Sequence, residues 1–310
     1  MNTVRDFDAY ARFLPPQYRA EPLIEPTSTW WPWRGRTVHI ARAAVPDSDI
    51  RALVLHGAGG YSGALWPFAA FAAAEGADVL VPDLPLYGDT VVPRPASVRY
   101  DDWVELLCDL VRAECERDDR PLIVFGASMG GLLGYEVAAR TRLVTHVVAT
   151  CLLDPADPAA RRAASHISRL GGVAPGLMRL AEPVMGGLRV PIRWLVKMTA
   201  MSGNRELSRL CATDPKGGGI RMPLGFLSSW LNFAHTAPET FDAAPVTLVH
   251  PGADRWTPPA LSIRFLDRIA APTQRVMLEN CGHYPVEEPG LSQLVSALRR
   301  VREQALDQIH

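Results

Sequence analysis

Lysine is nearly missing from this chain of 310 residues, occurring only as Lys197 and Lys216. Arginine supplies the rest of the positive charge, and it never gathers into a basic block. With a formal net charge of -1, nothing offers the stripe of positive charge that a phosphate backbone requires, so a nucleic-acid partner is not expected. Long apolar runs are also missing, and no segment approaches the roughly 20 residues needed to cross a bilayer. The opening stretch "MNTVRDFDAYARFLPP" lacks the apolar centre of a secretory signal and carries acidic residues that a transit peptide avoids. A soluble, cytoplasmic protein is the expectation. The five cysteines, at 108, 115, 151, 211 and 281, are odd in number and hold no close C-x-x-C pair. That argues against a disulfide framework and a zinc knuckle, and the thiols are read as reduced and mostly buried. No metal-ligand cluster stands out. The glycine runs "GAGG" (57–60) and "KGGG" (216–219) lack the strand–loop–helix spacing of a nucleotide site, so no cofactor is expected.

The chain is long for one small domain and ordinary for a large α/β domain carrying an insertion. Residues 1–28 are polar, proline-rich and poorly periodic. From Ser28 to Pro46, "STWWPWRGRTVHIARAAVP" alternates well enough for two short antiparallel strands joined at Arg34-Gly35-Arg36. Short apolar runs follow at 52–57, 78–83, 122–126, 146–153, 246–252 and 275–280, each bounded by turn residues. They read as strands buried on both faces. Helical patterns separate most of them, at Leu65–Glu75, Tyr100–Arg117, Gly130–Arg140, Pro259–Ile269 and Leu291–Leu306. Strands alternating with helices predict a mostly parallel central sheet covered on both sides. The rhythm breaks from 154 to 244, where no good strand is visible. Residues 1–153 and 245–310 therefore form the expected core, and 154–244 an inserted helical lid. Five methionines fall in that insertion, Met178, Met185, Met198, Met201 and Met222. Their adaptable side chains suit a surface that moulds to a flexible ligand, although packing between lid helices would use them equally well.

Within "LIVFGASMGG" (122–131), a strand runs into a helix through glycines that flank Ser128. A serine hydroxyl is a poor nucleophile until a base takes its proton and donors stabilise the oxyanion that its attack creates. The G-x-S-x-G turn raises the serine oxygen above the sheet, and the backbone N–H of the next residue, Met129, then points into the site. An isolated match of this kind could be a helix N-cap. Its position between a strand and a helix near mid-sheet favours the catalytic reading.

With these residues in view, the chain resembles the α/β-hydrolase family, close to its monoacylglycerol lipase, lysophospholipase and esterase branch, from about Arg36 to the C-terminus. The family order of nucleophile, acid and histidine is matched by Ser128, by Asp254 in "HPGADRWTPP" and by His283 in "NCGHYPVEEPG". The resemblance implies that "HGAGG" (56–60) is the oxyanion loop, with Ala58 giving the second N–H and His56 a structural role. Asp154, after "CLL", is a rival acid, because some relatives carry theirs one strand earlier. At "DLPLYGDT" (83–90) the chain departs from the family's G-H-G-type turn, which unsettles any specificity carried over from relatives.

The resulting expectation is a serine hydrolase that cleaves carboxylic esters with a medium or long acyl chain through an acyl-enzyme on Ser128. Thioester, carbon–carbon and peptide hydrolysis and acyl transfer share the same machinery. A non-catalytic ligand-binding module is an alternative of another class. A lipid-like small-molecule ester is the expected partner. Membrane contact is considered through Leu188, Val190, Trp194 and Met198, which are flanked by Arg189, Arg193 and Lys197.

Overall fold

A computed structural model describes residues 6–20, 22–164, 174–194 and 196–307. Part of the expected lid (165–173 and 195), together with His166 and His310, lies outside the described residues. The strands are β1 (Thr27–Trp33), β2 (Arg36–Ala43), β3 (Arg51–Leu55), β4 (Asp78–Pro82), β5 (Leu122–Gly126), β6 (His146–Ala149), β7 (Arg189–Pro191), β8 (Arg221–Pro223), β9 (Val246–Pro251) and β10 (Thr273–Leu278). Eight of them make one sheet in the order β1-β2-β4-β3-β5-β6-β9-β10. The β1–β2 and β2–β4 pairs are antiparallel and the remaining pairs parallel. Every residue of β3, β5, β6 and β9 is buried, which is why those runs are apolar on both faces rather than alternating.

The helices are α1 (Asp8–Ala11), α2 (Ser62–Ala74), α3 (Tyr100–Arg117), α4 (Met129–Thr141), α5 (Pro158–Ala164), α6 (Ala174–Met185), α7 (Arg205–Thr213), α8 (Leu224–Leu231), α9 (Pro259–Leu266) and α10 (Gly290–Asp307). Strand alternation assigns them to faces. Ala52, Val54, Ile123 and Phe125 look toward Phe68 of α2 and Leu298 of α10. Val124, one residue out of step, lies under Gly134 of α4. On that second face α3 packs against α4, and Tyr135 of α4 meets Phe265 of α9 edge to face at 5.3 Å.

The mostly parallel central sheet covered by helices is as expected from sequence, with three corrections. First, β6 stops at Ala149 instead of running to 153. Thr150 turns toward Ser128, and its Oγ1 accepts the Ser128 N–H. Second, α2 starts at Ser62 rather than Leu65. The Asp83 carboxylate accepts the Ser62 N–H at 2.6 Å, so a residue distant in sequence caps the helix and no local signal marks its start. Third, the segment between β6 and β9 is not free of strands, since β7 and β8 pair antiparallel within it. Three-residue strands that each contain proline are too short to show a period of two.

Candidate active site

Ser128 follows β5 and immediately precedes α4, with φ +55° and ψ −125°. A non-glycine residue there costs on the order of 1–3 kcal/mol and persists only where its surroundings enforce it. The surroundings do so through close approach. A Cβ on Gly126 would lie 2.1 Å from the Gly130 carbonyl oxygen, and one on Gly130 would lie 2.4 Å from that of Leu55. Only glycine closes the bend. The Ser128 N–H is held by Thr150 Oγ1 at 2.8 Å. Met129 is the first residue of α4, so its N–H has no acceptor within the helix and sits at the positive end of the helix dipole.

The "HGAGG" loop lies against this elbow. A Cβ on Gly57 would fall 2.8 Å from the Met129 nitrogen, so glycine here lets the two backbones meet. Ala58 lines the same cavities as Ser128. His56 is fully buried, with Nδ1 on the Gly57 carbonyl at 2.9 Å and Nε2 accepting the Leu84 N–H at 3.0 Å. Burial pulls its pKa below the usual histidine value. A neutral imidazole with both nitrogens engaged braces the loop and is not available as a base.

His283 and Asp254 come together as expected. His283 Nδ1 is 2.8 Å from Asp254 Oδ2. The carboxylate also accepts Thr257 Oγ1 at 2.5 Å and the N–H groups of Trp256 and Thr257 at 2.7 and 3.0 Å. Burial disfavours its charge, but the His283 hydrogen bond and charge and the Thr257 bonds prevail and lower its pKa to about 2. An ionised Asp254 therefore fixes the tautomer that leaves Nε2 unprotonated and able to take a proton. Asp154 is elsewhere, 3.9 Å from His235.

Ser128 and His283 line one cavity of about 50 Å³, together with Gly57, Ala58, Phe68 and Tyr284. His283 Nε2 is buried and makes no hydrogen bond, while Cys151 shares a cavity lining with Ser128 and Thr257. Burial raises the Cys151 pKa to about 12, so it stays a neutral thiol. A second apolar cavity of about 50 Å³ opens on the other side of Ser128, walled by Tyr87, Trp103, Phe226, Trp230 and Trp256.

Sequence reasoning missed Trp256, whose ring lies 4.5 Å from the His283 ring, and also Thr150, Cys151 and Thr257. Each acts from a loop whose contacts are tertiary. It also missed a second chain of the same residue types, in which Ser28 Oγ is 2.9 Å from His39 Nε2 and His39 Nδ1 is 2.8 Å from Asp83. Ser28 lies inside edge strand β1 rather than on a strained turn. This chain ties β1, β2 and the end of β4 together.

The chain matches the model of the "Alpha/beta hydrolase family" over residues 52–291. It belongs to that family and is a hydrolase. No curated protein matches it in sequence. Among solved structures it is similar to a soluble variant of monoglyceride lipase from Saccharomyces cerevisiae, in complex with a substrate analog (TM-score 0.75, 13% identity, covering 91% of this chain and 96% of that one). It is also similar to monoacylglycerol lipase from Paleococcus ferrophilus (TM-score 0.66, 21% identity, 85% and 98%) and to Est1E from Butyrivibrio proteoclasticus with ferulic acid bound (TM-score 0.61, 15% identity, 90% and 99%). At these identities the likeness concerns the fold. Among the described residues, no helix is long and apolar enough to cross a membrane.

Proposed function

We propose that this protein hydrolyses carboxylic esters through an acyl-enzyme on Ser128. His283 takes the serine proton and returns it to the leaving alcohol, then activates the water that releases the acid. Asp254 orients His283 and stabilises its cation, and the N–H groups of Ala58 and Met129 receive the oxyanion. The observation that carries this reading is the strained Ser128 elbow sharing one cavity with an imidazole whose other nitrogen is held by an ionised carboxylate.

The apolar walls on both sides of Ser128 favour an acyl group over a polar one. Each cavity of about 50 Å³ is small beside the ~300–1,000 Å³ of pockets that enclose a drug-sized ligand. A medium or long chain therefore requires the 154–244 segment to move as a lid. Met198 bears on this, since it is buried and its Cε lies 2.3 Å from where a Gly59 Cβ would stand. The sequence reading placed Met198 in a membrane-facing stripe, and its burial removes it. Leu180, Val184, Leu188 and Trp194 are exposed beside Arg189 and Arg193 and are the residues by which the lid would meet a lipid surface.

The test is turnover of p-nitrophenyl esters from short to long acyl chain, with a thioester and an aminoacyl anilide alongside, by wild type and Ser128→Ala. Ester turnover that favours the longer chains and collapses in the variant is expected. Equal activity in the two proteins would remove Ser128 as the nucleophile.

A further inference from the structure

We propose that the Tyr87 hydroxyl is a third donor to the oxyanion, a role that rests on the ester-hydrolase reading above. The turn that carries Tyr87 is the one at which this chain departs from the family pattern. Leu86, just before it, has φ +89°, a strained setting for a branched side chain, and strain of this kind concentrates where function holds it in place. The Tyr87 ring is 1% exposed and is clamped edge-on by His56 at 5.1 Å and Trp103 at 5.7 Å. Its oxygen accepts the Gly59 N–H at 3.1 Å. A phenol both accepts and donates, and among the described residues nothing accepts the Tyr87 proton. Tyr87 lines the cavity that Ala58, Ser128 and Met129 also line. A buried donor without an acceptor calls for an explanation, and a substrate oxygen held between Ala58 and Met129 supplies one.

As Ser128 Oγ bonds to the carbonyl carbon, its proton passes to His283 Nε2 and the carbonyl π pair moves onto oxygen. Tyr87 donates a hydrogen bond to that oxygen and keeps its own proton. Burial raises the phenol's pKa further above its ordinary value, so it remains a donor at any working pH. Because the charge is absent from the ground state, the hydroxyl acts on kcat more than on KM.

The test compares wild type, Tyr87→Phe, Ser128→Ala and a protein with 3,5-difluorotyrosine at position 87, using the best p-nitrophenyl ester at a pH below ionisation of the fluorinated phenol. Tyr87→Phe is expected to lower kcat about 10²-fold with KM within about threefold, and to weaken an alkyl boronic acid by a similar factor. Fluorination makes the hydroxyl a better donor and its oxygen a poorer acceptor. A donor to the oxyanion then keeps or raises kcat, whereas a mere anchor for the Gly59 N–H loses it. If kcat of Tyr87→Phe stays within threefold of wild type, or falls with fluorination as far as with phenylalanine, the proposal is overturned. Thermal midpoints show whether Tyr87→Phe is folded, and the fluorinated protein decides the matter if it is not. Ester turnover that survives Ser128→Ala defeats the underlying reading and this proposal with it. Turnover that needs Ser128 but not the Tyr87 hydroxyl defeats this proposal alone.

Discussion

A carboxylate with its pKa lowered to about 2 is ionised at neutral pH, so the work assigned to Asp254 is electrostatic and orientational. Asp254→Asn keeps the shape but permits the wrong imidazole tautomer. Its expected effect is a loss of about 10²–10⁴ in kcat with KM little changed, read from initial rates. Stability follows the same carboxylate. Because its folded pKa lies below the unfolded value of about 3.9, the stabilisation is present above pH 4 and is lost as pH falls toward 2, on the order of 2 kcal/mol. At this scale the sequence was legible wherever a residue type is forced by geometry. Gly126, Gly130 and Gly57 mark backbones in contact, and they pointed to Ser128, Met129 and Ala58. Thr150, Trp256 and Thr257 were not legible, because their importance lies in what they touch across the fold.

At the scale of elements, the α2 start belongs to Asp83 and the elbow glycines belong to the contact between β3, β5 and α4. The expected strands and helices of the core were visible because burial imposes a period on them. The short β7–β8 pair was not, and neither was the N-terminal α1. That helix is fastened to the insertion by Tyr10, whose hydroxyl donates to Asp214 Oδ2 at 2.7 Å while Tyr61 donates to the same oxygen at 3.0 Å. Asp214 ends α7, and Tyr10 lines the Ser128 cavity. Asp214→Ala strands two buried hydroxyls and is expected to cost on the order of 2–5 kcal/mol, whereas Tyr10→Phe leaves the Tyr61 bond and costs about 1 kcal/mol. Urea denaturation of the two variants checks the order. Equal losses would mean that the shared acceptor is not what fastens the segment.

For the whole molecule, acid sensitivity is expected from histidines distant from Ser128. The rings of His146 and His235 are buried, and desolvation lowers the pKa of each to about 4. In the unfolded chain both take a proton near pH 6.5. Between those values the unfolded state binds more protons, so stability falls as pH drops from 6.5 toward 4, by about 1.4 kcal/mol per pH unit for each ring. The thermal midpoint is expected to decline from pH 7 to pH 5, and His146→Gln to flatten that decline. An unchanged slope would contradict the assignment to His146.

Chemistry at one serine is the claim on which the functional reading stands. The most direct measurement is intact-mass and peptide-level mass spectrometry of the protein quenched in acid after milliseconds to seconds with a p-nitrophenyl ester. One acyl group on Ser128, absent from Ser128→Ala and formed as fast as p-nitrophenol is released in a burst, is the expected result. Turnover without an adduct, or an adduct on another residue, would contradict it.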